Sequence, residues 1–146
     1  MKCIFRNRNG LPHPEASIYQ CINLLFFGLI ALVFIYSAFF HYARGNYLFT
    51  SAHDLLTGEP SLSTGLSRSF SAIVRLEFEI AHFYNPYGIR VFLFFLEQFF
   101  LRIILWFILE RNPERMSILV WCDGLVCSVL FLIHFWPFLL ESLSMG

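Results

Sequence analysis

The sequence predicts an all-α integral membrane protein, with three transmembrane helices and one amphipathic interfacial helix in the loop between the first two. Three observations carry this. Of the 146 residues, 58% are hydrophobic and only 14% charged, whereas soluble domains average about 45–50% and about 25%. The mean hydropathy is +0.65, and the apolar residues concentrate in three runs long enough to cross a bilayer. The 19 Phe, 6 Tyr and 3 Trp are too much apolar surface to leave solvated, so a disordered chain is excluded. A formal net charge of zero gives no basic face for phosphates, so no nucleic-acid partner is expected.

Residues 1–17 form a short N-terminal segment bearing Lys2, Arg6 and Arg8. The first span covers residues 18–40 and carries no charge, only Gln20, Asn23 and Ser37 among its polar side chains. About 23 residues at about 1.5 Å each reach about 34 Å, enough to span a core of about 30 Å with some tilt. A basic start before an apolar run is also the pattern of a signal peptide. This run is longer than a signal h-region and ends in Phe39-Phe40-His41-Tyr42 rather than small residues, so it is read as an uncleaved span.

The loop over residues 45–90 begins with Ser51-Ala52-His53-Asp54, which resembles a capping box with Asp in place of Glu. A short helix over Ala52–Leu56 is expected, stopped by Gly58 and Pro60. A helix over residues 66–84 follows. Arg68, Ser71, Arg75, Glu79 and His82 share one face of its wheel, and Leu66, Phe70, Ile73, Ile80 and Tyr84 the other, which suits the membrane interface. Asn85 caps its end and Pro86 opens the next helix.

The second span covers residues 91–109 and the third 117–140, with a tight turn at Pro113. Counting basic residues in the short segments puts the N-terminus in the cytoplasm. Lys2, Arg6, Arg8, Arg111 and Arg115 then lie inside, against Arg44, Arg68, Arg75 and Arg90 dispersed in the long loop. None of the four cysteines lies in that external loop, so no disulfide is expected there. Cys122 and Cys127 fall on different faces of the third span and read as small apolar packing.

Polar groups inside the spans are the clearest site signal. Glu97, Gln98 and Arg102 interrupt the second span, and the two charges among them oppose insertion by about 5–7 kcal/mol, which the roughly sixteen apolar residues around them only match. Such charges face partners rather than lipid. Counted outward from the Pro113 turn, Arg102 and Asp123 fall within one helical turn of each other in depth, so they are expected to pair, with Asn23 at a similar level. Glu97 is expected near the level of His134, and Glu77 lies on the apolar face of the interfacial helix. Two readings of that group stand open: a proton relay, and hydrogen bonds that pack helices or meet a partner subunit.

The loop also carries a resemblance. Leu56-Thr57-Gly58-Glu59-Pro60-Ser61-Leu62-Ser63-Thr64-Gly65-Leu66-Ser67-Arg68 resembles the signature Leu-Thr-Gly-x-Pro-Cys-Pro-x-Cys-Gly-x-Thr-Arg of a bacterial multi-pass membrane domain of unknown function. Tyr84-Asn85-Pro86 is similar to that family's Tyr-Asn-Pro ahead of its next span. The likeness covers about Tyr47 to Phe95 and implies a multi-pass protein of the cell inner (cytoplasmic) membrane. Ser61 and Thr64 stand at the two cysteine positions and Leu62 at a proline. Hydroxyls neither cycle between redox states nor rank among zinc's usual ligands, so no metal or other cofactor is expected.

Two functions compete. One is a non-enzymatic subunit or scaffold of a membrane complex, whose partners are the bilayer and other membrane subunits. The other is an enzyme or carrier for a lipid-like anion at the outer surface. That reading uses Ser61, Thr64, Arg68 and Arg75 as ligands, at a helix start where free N–H groups favour phosphate. No catalytic residue is identified for it.

Overall fold

The computed structural model describes residues 14–39, 41 and 65–144, and these are helical throughout apart from turns. The short helix expected over Ala52–Leu56, and Ser61 and Thr64, lie outside the described residues. In chain order stand α1 (Pro14–Phe39), α2 (Leu66–Val74), α3 (Phe78–Tyr84), α4 (Gly88–Arg111), a 3₁₀ turn (Pro113–Arg115) and α5 (Met116–Ser144). Three of them, α1, α4 and α5, are long and apolar enough to cross a membrane, with mean hydropathies of 2.3, 2.1 and 2.2 over their apolar stretches. The chain is a small membrane protein.

The spans are amphipathic in the inverted sense. On α1 the buried side chains are Gln20, Asn23, Ile30 and Ser37, while Ile18, Ile22, Leu25, Leu29, Leu32, Ile35 and Phe39 are exposed. Both sets step by three or four residues or by two turns, so each occupies one face. A polar stripe turned inward and an aliphatic stripe turned outward suit a helix whose solvent is hydrocarbon. On α4 the buried stripe is Val91, Gln98, Arg102, Leu105 and Leu109. On α5, Asp123 is the one buried residue among those whose burial is described.

By its internal packing the chain divides into two units. The first holds α1 up to Ala31 and the stretch Phe95–Leu132; the second holds α1 from Leu32, continues through Phe94 and resumes at Ile133. In the first, Phe27 stacks on Phe99 with ring centroids 4.7 Å apart. In the second, Phe92 meets Phe34 at 5.2 Å and Phe70 at 5.3 Å, and Phe94 meets Phe135 edge-on at 5.4 Å.

The single helix expected over 66–84 is two helices. After Val74 the chain closes with bonds from the Leu76 N–H to the Ile73 carbonyl (2.9 Å) and from the Glu77 N–H to the Ala72 carbonyl (3.0 Å). This is a Schellman pair, and the residue at its left-handed position, Leu76, has φ of 63°. Glycine normally stands there; no turn residue marks the break, so a wheel runs straight through it. The faces differ too. Ser69, Phe70, Ser71, Ala72 and Ile73 are all buried, so the expected apolar face of α2 is turned to protein, and serines are enclosed beside it.

Two glycines let this region close. Gly65, at φ of 80°, begins α2, and a Cβ there would overlap the carbonyl of Tyr84. Gly88 begins α4 against the Ser69 hydroxyl, and a Cβ would overlap it. Between them, Asn85 ends α3 as expected, its N–H bonded to the Ala81 carbonyl at 3.1 Å, and its Oδ1 accepts the Tyr87 N–H at 2.9 Å; α4 opens at Gly88 rather than at Pro86.

Candidate functional site: a closed polar cluster

In the first unit Arg102 forks across Asp123. Nη1 donates to Oδ2 at 2.8 Å and Nη2 to Oδ1 at 2.9 Å, the bidentate geometry that makes arginine–carboxylate pairs strong. Nη1 also reaches Asn23 Oδ1 at 3.3 Å, and the Asn23 amide donates back to the Arg102 carbonyl at 2.9 Å. The second carboxylate oxygen, Oδ2, takes a further bond from the Tyr19 hydroxyl at 2.6 Å. Three helices, α1, α4 and α5, therefore contribute to one cluster.

Spacing along each helix fills the remaining positions. Gln98 lies one turn before Arg102 and its Oε1 accepts from Nη2 at 3.2 Å. Cys127 lies one turn after Asp123, and its sulfur accepts from Nη2 at 3.1 Å. The single S–H has two acceptors in reach, Gln98 Oε1 at 3.3 Å and Asp123 Oδ1 at 3.2 Å. The Phe26 ring faces the guanidinium at 5.8 Å. Arg102, Asp123, Asn23 and Gln98 are all buried. A crevice of about 190 Å³ beside them is lined by Asn23, Leu24, Phe27, Arg102, Ile103 and Trp106, and its open wall is hydrocarbon.

Such an arrangement can join helices. Both oxygens of Asp123 are saturated, and both terminal nitrogens of Arg102 are shared among oxygen and sulfur acceptors. A buried pair whose remaining lone pairs and protons are taken up tolerates its desolvation; losing one partner strands a charge in the membrane.

The structure thus brings together Asn23, Arg102 and Asp123, and adds Tyr19, Gln98 and Cys127, which the depth count from Pro113 does not assign to the cluster. The last two were detectable as one-turn neighbours of the charged pair. Cys127 is a hydrogen-bonding member of the cluster rather than apolar filler, and Cys122 is exposed. Glu97 belongs to the first unit, half-buried on α4. Glu77 and His134 belong to the second. His134 sets its ring against Phe94 at 6.3 Å, and the Oε2 of Glu77 is buried with no hydrogen-bond partner among the described residues. Gln20 is likewise enclosed on α1 with its amide unpartnered among them. No group of three metal-ligating side chains gathers among the described residues.

The two arginines expected to bind an anion differ. Arg68 is exposed and lies over the Tyr84 ring at 5.7 Å. Arg75 is taken up by the protein itself. Nη1 donates to the Ser71 carbonyl (2.6 Å), the Ser71 hydroxyl (2.7 Å) and the Ser37 carbonyl (3.3 Å), and Nη2 to the Ala38 carbonyl (3.0 Å). Ser37 and Ala38 are in the last turn of α1, where carbonyls have no partner within the helix and the dipole is negative. Arg75 is a cap for α1.

Comparison with known proteins returned no matching family model, no matching curated protein and no matching solved structure.

Proposed function

We propose that this chain is a non-enzymatic subunit or scaffold of a membrane complex, seated in the cell inner (cytoplasmic) membrane with its N-terminus in the cytoplasm. The observation that carries this reading is the saturation of the Arg102–Asp123 pair at the centre of the cluster. A proton relay or carrier working through Arg102 and Asp123 would need a free valence on one of them facing a water path. Here the ion pair is engaged by Tyr19, Asn23, Gln98 and Cys127, and the crevice beside it is walled by hydrocarbon. The cluster ties three helices; the outer faces remain for partners.

The third span is the surface best suited to a partner helix. Only 6% of its apolar stretch is buried, against 17% and 22% for the other two. It presents Gly124 and Ser128 one turn apart, both exposed, with open space where a Gly124 Cβ would stand. The Ser128 hydroxyl donates to the Gly124 carbonyl at 2.7 Å, so the pair offers a smooth, polar-satisfied surface of the kind that transmembrane helices pack against.

Extraction of the tagged chain from native membranes in mild detergent tests the reading. A protein in fixed stoichiometry is expected, present with the native chain and lost with Gly124→Leu while the chain stays folded. A chain that emerges alone as a monomer would refute it. For orientation, cysteines at Ser63 and Ser144, in a chain cleared of native thiols, are expected to react with an impermeant reagent from outside. Reaction of Ser63→Cys only after permeabilisation would reverse the topology.

A further inference from the structure

The second unit carries an apolar edge that its own packing leaves open. Val74, Leu76, Phe78 and Phe83 are exposed on the α2–α3 hairpin, Leu76 to 75% and Phe83 to 84%. These are not the residues that a straight amphipathic helix would turn to the bilayer: Phe70 and Ile73 are buried.

The depth of this edge is fixed at both ends. On one side the Arg75 guanidinium, at the turn between the two helices, is bound to the carbonyls of Ser37 and Ala38. That is where the first apolar stretch, Ile18–Phe39, ends, and the neighbouring Ile35 and Phe39 are themselves exposed. On the other side only Asn85, Pro86 and Tyr87 separate α3 from α4, the next span. The hairpin that carries the open edge is therefore tied to the end of one spanning helix and to the start of the next. The same hairpin exposes Arg68, Glu79 and His82. Apolar side chains interleaved with charged ones, tethered at the ends of two spans, match the chemistry of the boundary between headgroups and acyl chains.

We infer that the Leu76–Phe83 edge is a monolayer anchor, in which Leu76, Phe78 and Phe83 insert into the upper acyl region of the leaflet where α1 ends. Its partner is bilayer lipid. The anchor fixes the hairpin at that depth whether or not a protein partner covers the outer faces of the spans.

The test uses the full chain in vesicles of phosphatidylcholine and phosphatidylglycerol. Trp106, Trp121 and Trp136 are replaced by Phe, and Phe83→Trp and Leu76→Trp are introduced separately. Insertion by about 5–10 Å predicts quenching strongest from lipids brominated on the acyl carbons nearest the headgroup, with aqueous acrylamide at least about threefold weaker than on free tryptophan. Full quenching by acrylamide would place the edge in water and overturn the anchor. Protection from both quenchers would show protein covering it, which overturns the anchor while leaving the subunit reading intact. A spin label on Phe83→Cys in a chain cleared of native thiols, read by oxygen against a nickel chelate, gives the same depth without altering the tryptophans.

Discussion

Two arginines hold this chain together by different means. Arg102 sits among side chains, paired with a carboxylate and flanked by an amide, a carbonyl oxygen of Gln98 and a thiol drawn from three helices. Arg75 sits among backbone, where its contacts are the ends of α1 and α2 and one serine hydroxyl. The difference follows from surroundings. In mid-span every carbonyl is already used within its helix, so a cation there requires a carboxylate. At a helix end the last carbonyls are free, and they stabilise a guanidinium without any acidic partner. One region is fixed by side-chain chemistry, the other by where helices stop and where glycine lets them approach.

If that contrast is correct, the two regions fail differently. The largest effect is expected in the cluster. Arg102→Leu or Asp123→Leu strands a buried charge, typically at about 3–5 kcal/mol, and is expected to show as loss of folded yield in membranes and as a lower unfolding midpoint in bicelles. Gly65→Ala comes next. A left-handed backbone disfavours a Cβ by about 1–2 kcal/mol, and the overlap with the Tyr84 carbonyl adds to it, so about 2–3 kcal/mol is expected. Faster amide exchange confined to α2 and α3 would be its mark. A global loss of stability would instead mean that the two regions unfold as one.

Arg75→Met removes the cap on α1. Losing charge-assisted bonds to helix-terminal carbonyls is expected to cost about 1–2 kcal/mol. Arg75→Lys keeps the charge and is expected to recover only part, because an ammonium cannot fork across Ser37 and Ala38. Full recovery by lysine would mean that charge alone matters at this end. The smallest effect is a gain. Leu76→Gly relieves a left-handed backbone at the position where glycine is usual, worth about 0.5–1 kcal/mol, readable as a raised thermal midpoint. A loss instead would mean that the leucine side chain contributes more, through its contact with lipid, than its backbone strain removes.

What the sequence makes legible divides along the same line. The spans are plain from hydropathy, since length and apolar content alone decide whether a helix fits the bilayer. The meeting of Arg102 and Asp123 follows from counting residues outward from Pro113, because a tight hairpin couples depth in one helix to depth in the next, and Asn23 joins them by its similar depth on the first span. Tyr19, Gln98 and Cys127 are harder. Their residue types are neutral and need no charge partner, so insertion energies do not single them out, and only the one-turn spacing of Gln98 and Cys127 points to them. The hairpin is harder again. Leu76 ends α2 by backbone hydrogen bonds that no glycine or proline announces, and a wheel assumes one medium on each side of a helix, whereas five consecutive residues of α2 are enclosed. Arg75 looks like an anion ligand in sequence because the free carbonyls it binds belong to a distant helix.

The central claim is that Arg102 and Asp123 serve each other, as a fastening between α4 and α5 and not as separate working groups. A double-mutant cycle measures this directly, with unfolding free energies in bicelles for the native chain, Arg102→Leu, Asp123→Leu and both together. Strong coupling is predicted: each single substitution costs about 3–5 kcal/mol, and the double variant returns to within about 1–2 kcal/mol of the native chain, since removing both members leaves no stranded charge. Additive losses in the double variant would contradict the account, because each group would then be answering to a different partner.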